Sequence, residues 1–178
     1  MKKSYLNEKK SSIVISIVST KSNTGKTTLI EKLISMLKDR GYSVGALKHD
    51  AHKFDIDKKG KDSYRFSHAG ADNVVIASSE KMAMIKILNE EPSIEDMLKL
   101  FEQDIVIMEG FKNNKYPKIE VHRKGVDDNL LCNNPIYHID TFVAVASDED
   151  LDIDIDVLDL NNIPSICDYI EKNIIKRG

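Results

Sequence analysis

The chain has 178 residues, with 26 Lys plus Arg against 29 Asp plus Glu, a net charge of −3 and a pI near 6.0. That length suits one domain with a sizeable core, and the acidic balance argues against a general nucleic-acid binder. Cys132 and Cys167 form no C-x-x-C pair, no run is apolar enough to span a bilayer, and the basic start MKKSYLNEKKSS lacks an apolar h-region; the reading is therefore reduced thiols, no disulfide framework, no membrane span and a cytoplasmic location.

Residues 1–12 read as a polar tail and residues 13–178 as a single domain. The apolar, β-branched run IVISIV predicts a strand over about 13–19. A small polar loop follows, then Gly25-Lys26-Thr27-Thr28, then a helix over about 25–40 with Ile30, Leu33, Ile34 and Leu37 on one face. Gly41 suits the position after its C-cap, and residues 43–48 predict a second strand parallel to the first.

Strand, loop with GKTT, and helix make the pattern of a phosphate-binding loop. Backbone N–H groups at such a turn face phosphate oxygens, and the helix N-terminus adds partial positive charge. Ser22, Asn23, Thr24, Gly25, Lys26, Thr27 and Thr28 are the candidate nucleotide-binding residues. Lys26 is placed to reach β- and γ-phosphates, and the Thr27 hydroxyl to bind Mg²⁺. Thr20 stands where the pattern has its first glycine.

Residues 48–72 form a long charged stretch, with a short helix expected over 62–69. Lys48, Lys53, Lys58, Lys59, Lys61 and Arg65 make it basic, with Lys112 and Lys115 as further cations, which suits an anionic ligand, an acidic partner or a solvated face. His49 and His52, near Asp50, Asp55 and Asp57, leave a metal site underspecified. Residues 73–78 and 82–88 predict a hairpin, and Ser93-x-x-Asp96 a capped helix start.

The run DIVIME predicts a strand closing on Glu109, and TFVAVA another strand followed by Asp148. A strand is expected over 118–123 and an edge strand over 151–158, where Ile alternates with Asp. A last helix over about 163–176 buries Ile163, Ile166, Ile170 and Ile174. The sum is an α/β, three-layer P-loop NTPase fold with a mainly parallel sheet and an added hairpin. Ligands in such folds sit at the C-terminal strand ends. Lys26, Asp50, Glu109 and Asp148 fall there: Glu109 and Asp50 as candidate catalytic and Mg²⁺-linked acids, and Asp148 as a candidate acceptor for a guanine base.

Three blocks carry a family resemblance: SNTGKTTLIEKLI, KHDAHKFDIDKKGKDSYRFSHAGA and DIVIMEGFKNNKYPKIEVHR, with the later VAVASD. The sequence resembles the MobB family, GTP-binding accessory proteins of molybdopterin guanine dinucleotide synthesis. The resemblance implies a homodimeric P-loop protein that binds GTP with Mg²⁺ and hydrolyses it weakly. It also implies contact with the guanylyltransferase MobA, with other molybdenum-cofactor proteins and with molybdopterin. Two other readings stay open on the residues: a small-molecule kinase, and a MinD/ParA-like dimeric ATPase in which Lys21 reaches across to the partner's phosphates.

Overall fold

The computed structural model describes residues 11–49 and 57–177. Two compact units emerge, Met1–His49 with Leu98–Gly178, and Asp50–Met97 between them in sequence.

In the larger unit six strands form one sheet: β1 (Ile13–Val18), β2 (Val44–Lys48), β5 (Ile105–Glu109), β6 (Lys118–Val121), β7 (Phe142–Ser147) and β8 (Asp156–Asp159). Their order is β2-β5-β1-β6-β7-β8, and every pairing is parallel. The expected α/β fold with a parallel sheet and an added hairpin is borne out. β5 lies between β1 and β2, so the two strands joined by the first helix are parallel but not neighbours.

Helix α1 (Lys26–Asp39) buries Leu29, Ile30, Leu33 and Leu37, and Ile34 is half-buried beside them. Helix α4 (Ile163–Asn173) buries Ile163, Ile166, Cys167 and Ile170, then gives way to a 3₁₀ turn at Ile175–Arg177. Both helices join Ile15, Ile17, Ile105, Ile107 and Ile119 of the sheet in one core. Burial of each such side chain stabilises by about 1.5–3 kcal/mol. Arg40, at the end of α1, reaches Asp168 at 2.7 Å and Glu171 at 2.6 Å and so ties α1 to α4. Among the described residues no helix is long and apolar enough to cross a membrane.

Several predicted bounds shift. The strand expected over 151–158 is the shorter edge strand β8, whose length follows its register with β7, Ala144↔Asp156 to Ser147↔Asp159. β6 ends at Val121 rather than 123. Between β6 and β7 the chain forms 3₁₀ turns at Leu131–Asn133 and Ile139–Thr141.

The smaller unit holds α2 (Asp62–His68) and the antiparallel hairpin of β3 (Asn73–Ala77) and β4 (Met82–Lys86). Val75, Ile76, Met82 and Met84 of the hairpin are exposed. The short α3 (Ile94–Leu98) opens with the expected cap, the Ser93 hydroxyl accepting from the Asp96 N–H at 3.1 Å and donating to the Asp96 carboxylate at 2.7 Å.

Two positions make the packing testable. A Cβ on Gly45 would clash with the ring of Phe101. Gly45→Ala should therefore lower stability by about 1–3 kcal/mol in urea unfolding, and adding Phe101→Leu should recover part of the loss. Lys118, at the start of β6, is fully buried, donates to the carbonyl of Asn114 and to the Thr141 hydroxyl, and lies 5.5 Å from the centre of the Phe142 ring. Burial pushes its pKa down to about 8, from 10.5. The unfolded chain then binds more protons between these values, so the cost of charging Lys118 is fully present below about pH 8 and fades towards pH 10.5. Lys118→Met should remove this rise, seen as a flatter difference in Tm across that window.

Candidate functional site

β1 is buried between β5 and β6, so its C-terminal end is fixed, and the chain must turn there to start α1. Asn23 (φ 63°) and Gly25 (φ 97°) take the left-handed turn positions. Asn tolerates that region better than most side chains. Thr20 has no positive φ, so the missing first glycine costs the backbone nothing. α1 begins without a side-chain cap and without an acid in its first turn. Its first N–H groups and partial positive charge are left for an external anion.

Cationic side chains hold the loop's carbonyls, two of them from distant elements. Lys112 Nζ donates to the Thr20 carbonyl at 2.9 Å, Lys26 Nζ to the Lys21 carbonyl at 3.1 Å and Arg123 Nε to the Thr24 carbonyl at 3.2 Å. Lys26 also donates to Ser19 Oγ at 2.6 Å, and that hydroxyl donates to the Lys21 carbonyl at 2.6 Å. The Lys26 pKa is lowered, first by burial and then by the nearby Lys112 and Lys48 charges, with Glu109 opposing. Arg123 lies so close beneath the turn that a Cβ on Gly25 would sit 3.2 Å from its Nη2.

Ser22, Asn23, Gly25, Lys26, Thr27, Thr28, Lys48 and Glu109 line one cavity of about 460 Å³. In parallel register Glu109 stands between Ile17 of β1 and Lys48 of β2. The Thr27 hydroxyl lies 3.3 Å from Glu109 Oε1. A hydroxyl and a carboxylate oxygen converging at the mouth of an anion cradle fit Mg²⁺, which takes few protein oxygens and keeps phosphate and water as its other ligands. Gly110 (φ 88°) and Phe111 (φ 53°) turn the chain sharply after Glu109, and the Phe111 ring packs on His49 with centroids 4.8 Å apart.

The structure thus brings together the predicted phosphate-loop residues and Glu109. Thr24 is buried behind the cavity, its carbonyl on Arg123. Asp148 is not among the lining residues: its Oδ2 accepts from Arg123 Nη1 at 3.2 Å and its Oδ1 from the Lys124 N–H at 2.8 Å. Asp50, His52, Lys53 and Asp55 lie outside the described residues. Lys21 is engaged within its own chain, on the Val126 carbonyl at 3.2 Å and near Asp127 at 3.7 Å. The Asp127 carboxyl is held down to about 2, chiefly by the backbone and side chain of Asn129, with smaller help from the Thr20 hydroxyl and Lys21. Ser19 and the loop-holding role of Lys112 and Arg123 escaped the sequence reading. Arg123 lies in the EVHR block, but nothing local marks it as a neighbour of Thr24, 99 residues away in sequence.

Residues 14–148 match the family model of MobB, Molybdopterin guanine dinucleotide synthesis protein B. The chain belongs to the MobB family. A molybdopterin-guanine dinucleotide biosynthesis adapter protein of Haemophilus influenzae is 40% identical over 154 residues, covering 84% of this chain and 83% of that protein. The adapter protein of Escherichia coli is 34% identical over 157 residues, covering 84% and 86%. A crystal structure of molybdopterin-guanine biosynthesis protein B superposes with a TM-score of 0.69 at 28% identity, over 89% of this chain and 98% of that one. Bacillus subtilis MobB, at 20% identity and a TM-score of 0.70 over 90% and 97% of the two chains, shares the fold. Membership of the MobB family makes this chain an adapter protein of molybdopterin guanine dinucleotide biosynthesis.

The brace beneath the loop can be tested directly. Arg123→Ala removes two charge-assisted hydrogen bonds at a partly exposed site, so it should cost only about 1 kcal/mol of stability. Its larger effect should be local, seen as faster amide hydrogen exchange across residues 19–28 with the rest of the sheet unchanged.

Proposed function

We propose that this adapter works as a GTP-binding protein with slow GTPase activity. The observation that carries the reading is the uncapped N-terminus of α1 in one cavity with Lys26, Thr27 and Glu109. Backbone N–H groups of the loop and of α1 bind the phosphates, and Lys26 neutralises them. Thr27 and Glu109 are the described residues that would hold Mg²⁺, which when bound would offset phosphate charge. Glu109 is the one acid among the described lining residues, and it shares its carboxylate with Thr27. A carboxylate so engaged is a poor base towards water, which suits slow turnover.

Guanine selection is assigned to Asp148. Its two oxygens accept one hydrogen bond each in the structure, and an ionised carboxylate has further lone pairs to offer the base. The protein acts in the cytoplasm, with MobA and molybdopterin as its partners. Self-association as a homodimer belongs to the same reading, supported by the exposed apolar side chains of the β3–β4 hairpin.

Calorimetric titration with GTP and ATP, each with Mg²⁺, tests this reading. GTP should bind more tightly, and Lys26→Ala should raise Kd by about a hundredfold, as expected for loss of two charge-assisted contacts. Thr27→Ala and Glu109→Gln should weaken the dependence on Mg²⁺ more than binding without it. A preference for ATP would support the ATPase or kinase reading instead.

A further inference from the structure

We propose that Lys48 is the residue that selects a nucleoside triphosphate over the diphosphate. The inference rests on the nucleotide-binding reading above and adds to it a cation that the phosphate-loop pattern does not contain.

Lys48 is the last residue of β2 and lines the same cavity as Gly25, Lys26 and Thr27. It stands in register with Glu109 on the adjacent strand. Its side chain is exposed, and among the described residues no hydrogen bond or ion pair holds its ammonium. The other cations around the loop are committed: Lys112 to Thr20, Arg123 to Thr24 and Asp148, Lys21 to Val126. Lys48 instead adds to the positive field on Lys26, one of the causes that lower the Lys26 pKa. An unpaired ammonium facing another across a polar cavity is a cost that a multivalent anion reverses.

Position then decides which phosphate it meets. A phosphate seated on the N–H groups of α1 is met by the loop and Lys26. The next phosphate outward must lie beside the strand ends that carry Glu109 and Lys48. Glu109 alone would repel it, and a cation in register with Glu109 converts that end from repulsive to attractive. A diphosphate fills the cradle without reaching this end, so Lys48 acts on the terminal phosphate of the triphosphate only.

The test is a calorimetric comparison of GTP, GDP, ATP and ADP, with and without Mg²⁺, on the full chain and on Lys48→Ala and Lys48→Arg. Because the side chain is exposed, both variants should keep the wild-type Tm, which is checked first. The wild type should prefer triphosphate. Lys48→Ala should reduce that preference about tenfold, the scale of one charge-assisted hydrogen bond, while changing diphosphate affinity less than twofold. Lys48→Arg should restore it. An unchanged preference in Lys48→Ala, or equal loss for both nucleotides, overturns the assignment and leaves the phosphate-loop reading standing. Absence of all nucleotide binding by the wild type overturns both.

Discussion

The hydrogen bonds that Lys112, Lys26 and Arg123 donate to the carbonyls of Thr20, Lys21 and Thr24 are the interactions on which the site depends. A phosphate cradle works only if backbone N–H groups, and not C=O groups, dominate the field at the anion. A loop of this length carries as many carbonyls as amides. Pairing three of the carbonyls with cations removes much of their negative field and leaves the amides of the α1 N-terminus in control. The same bonds explain how the loop keeps its shape with Thr20 at the first-glycine position. That position needs no left-handed backbone here, and its carbonyl is held from another strand end.

This bracing links the loop to the sheet. Lys112 follows β5, and Arg123 follows β6, the two strands that flank β1. The buried parallel pairing of these three strands places all three chain ends together, and each then contributes one element: the loop, the Lys112 brace with Glu109, and the Arg123 brace. Arg123 further connects Thr24 to Asp148 at the end of β7. A base held at Asp148 and a phosphate held at the loop would therefore act on the same guanidinium, which gives the site a physical route for coupling base identity to phosphate binding.

Much of this was legible in the sequence, and the illegible part has a common cause. The strand, GKTT and helix unit is local: its signals lie within thirty residues (~) and rest on periodicity and turn chemistry. Glu109 was readable because a strand-end acid is a local feature too. Strand order was not, since nothing in the two segments says that β5 enters between β1 and β2. The braces fail for the same reason, as Arg123 and Lys112 meet the loop only through that order. Lys118 carries no local signal of its burial, which the carbonyl of Asn114 and the hydroxyl of Thr141 make possible. The alternation of Ile and Asp after residue 150 marked an edge correctly but not its length, because pairing with β7 sets where β8 begins.

Lys48 joins the site to the remainder of the chain. β2 ends at Lys48, His49 bonds back through its N–H to the Glu109 carbonyl at 3.1 Å, and the chain then enters the unit that spans Asp50–Met97. A terminal phosphate bound at Lys48 would pull on the last strand residue before that unit, whereas a diphosphate would not. Glu109 and Lys48 share one register position, so the acid proposed for the metal and the cation proposed for the phosphate sit on the same pair of strands. Under the proposed function, a bound nucleotide would have to be felt outside the cavity. A discriminating charge at the end of an edge strand, rather than in the braced loop, would meet that need: the loop could stay fixed while the strand end responds.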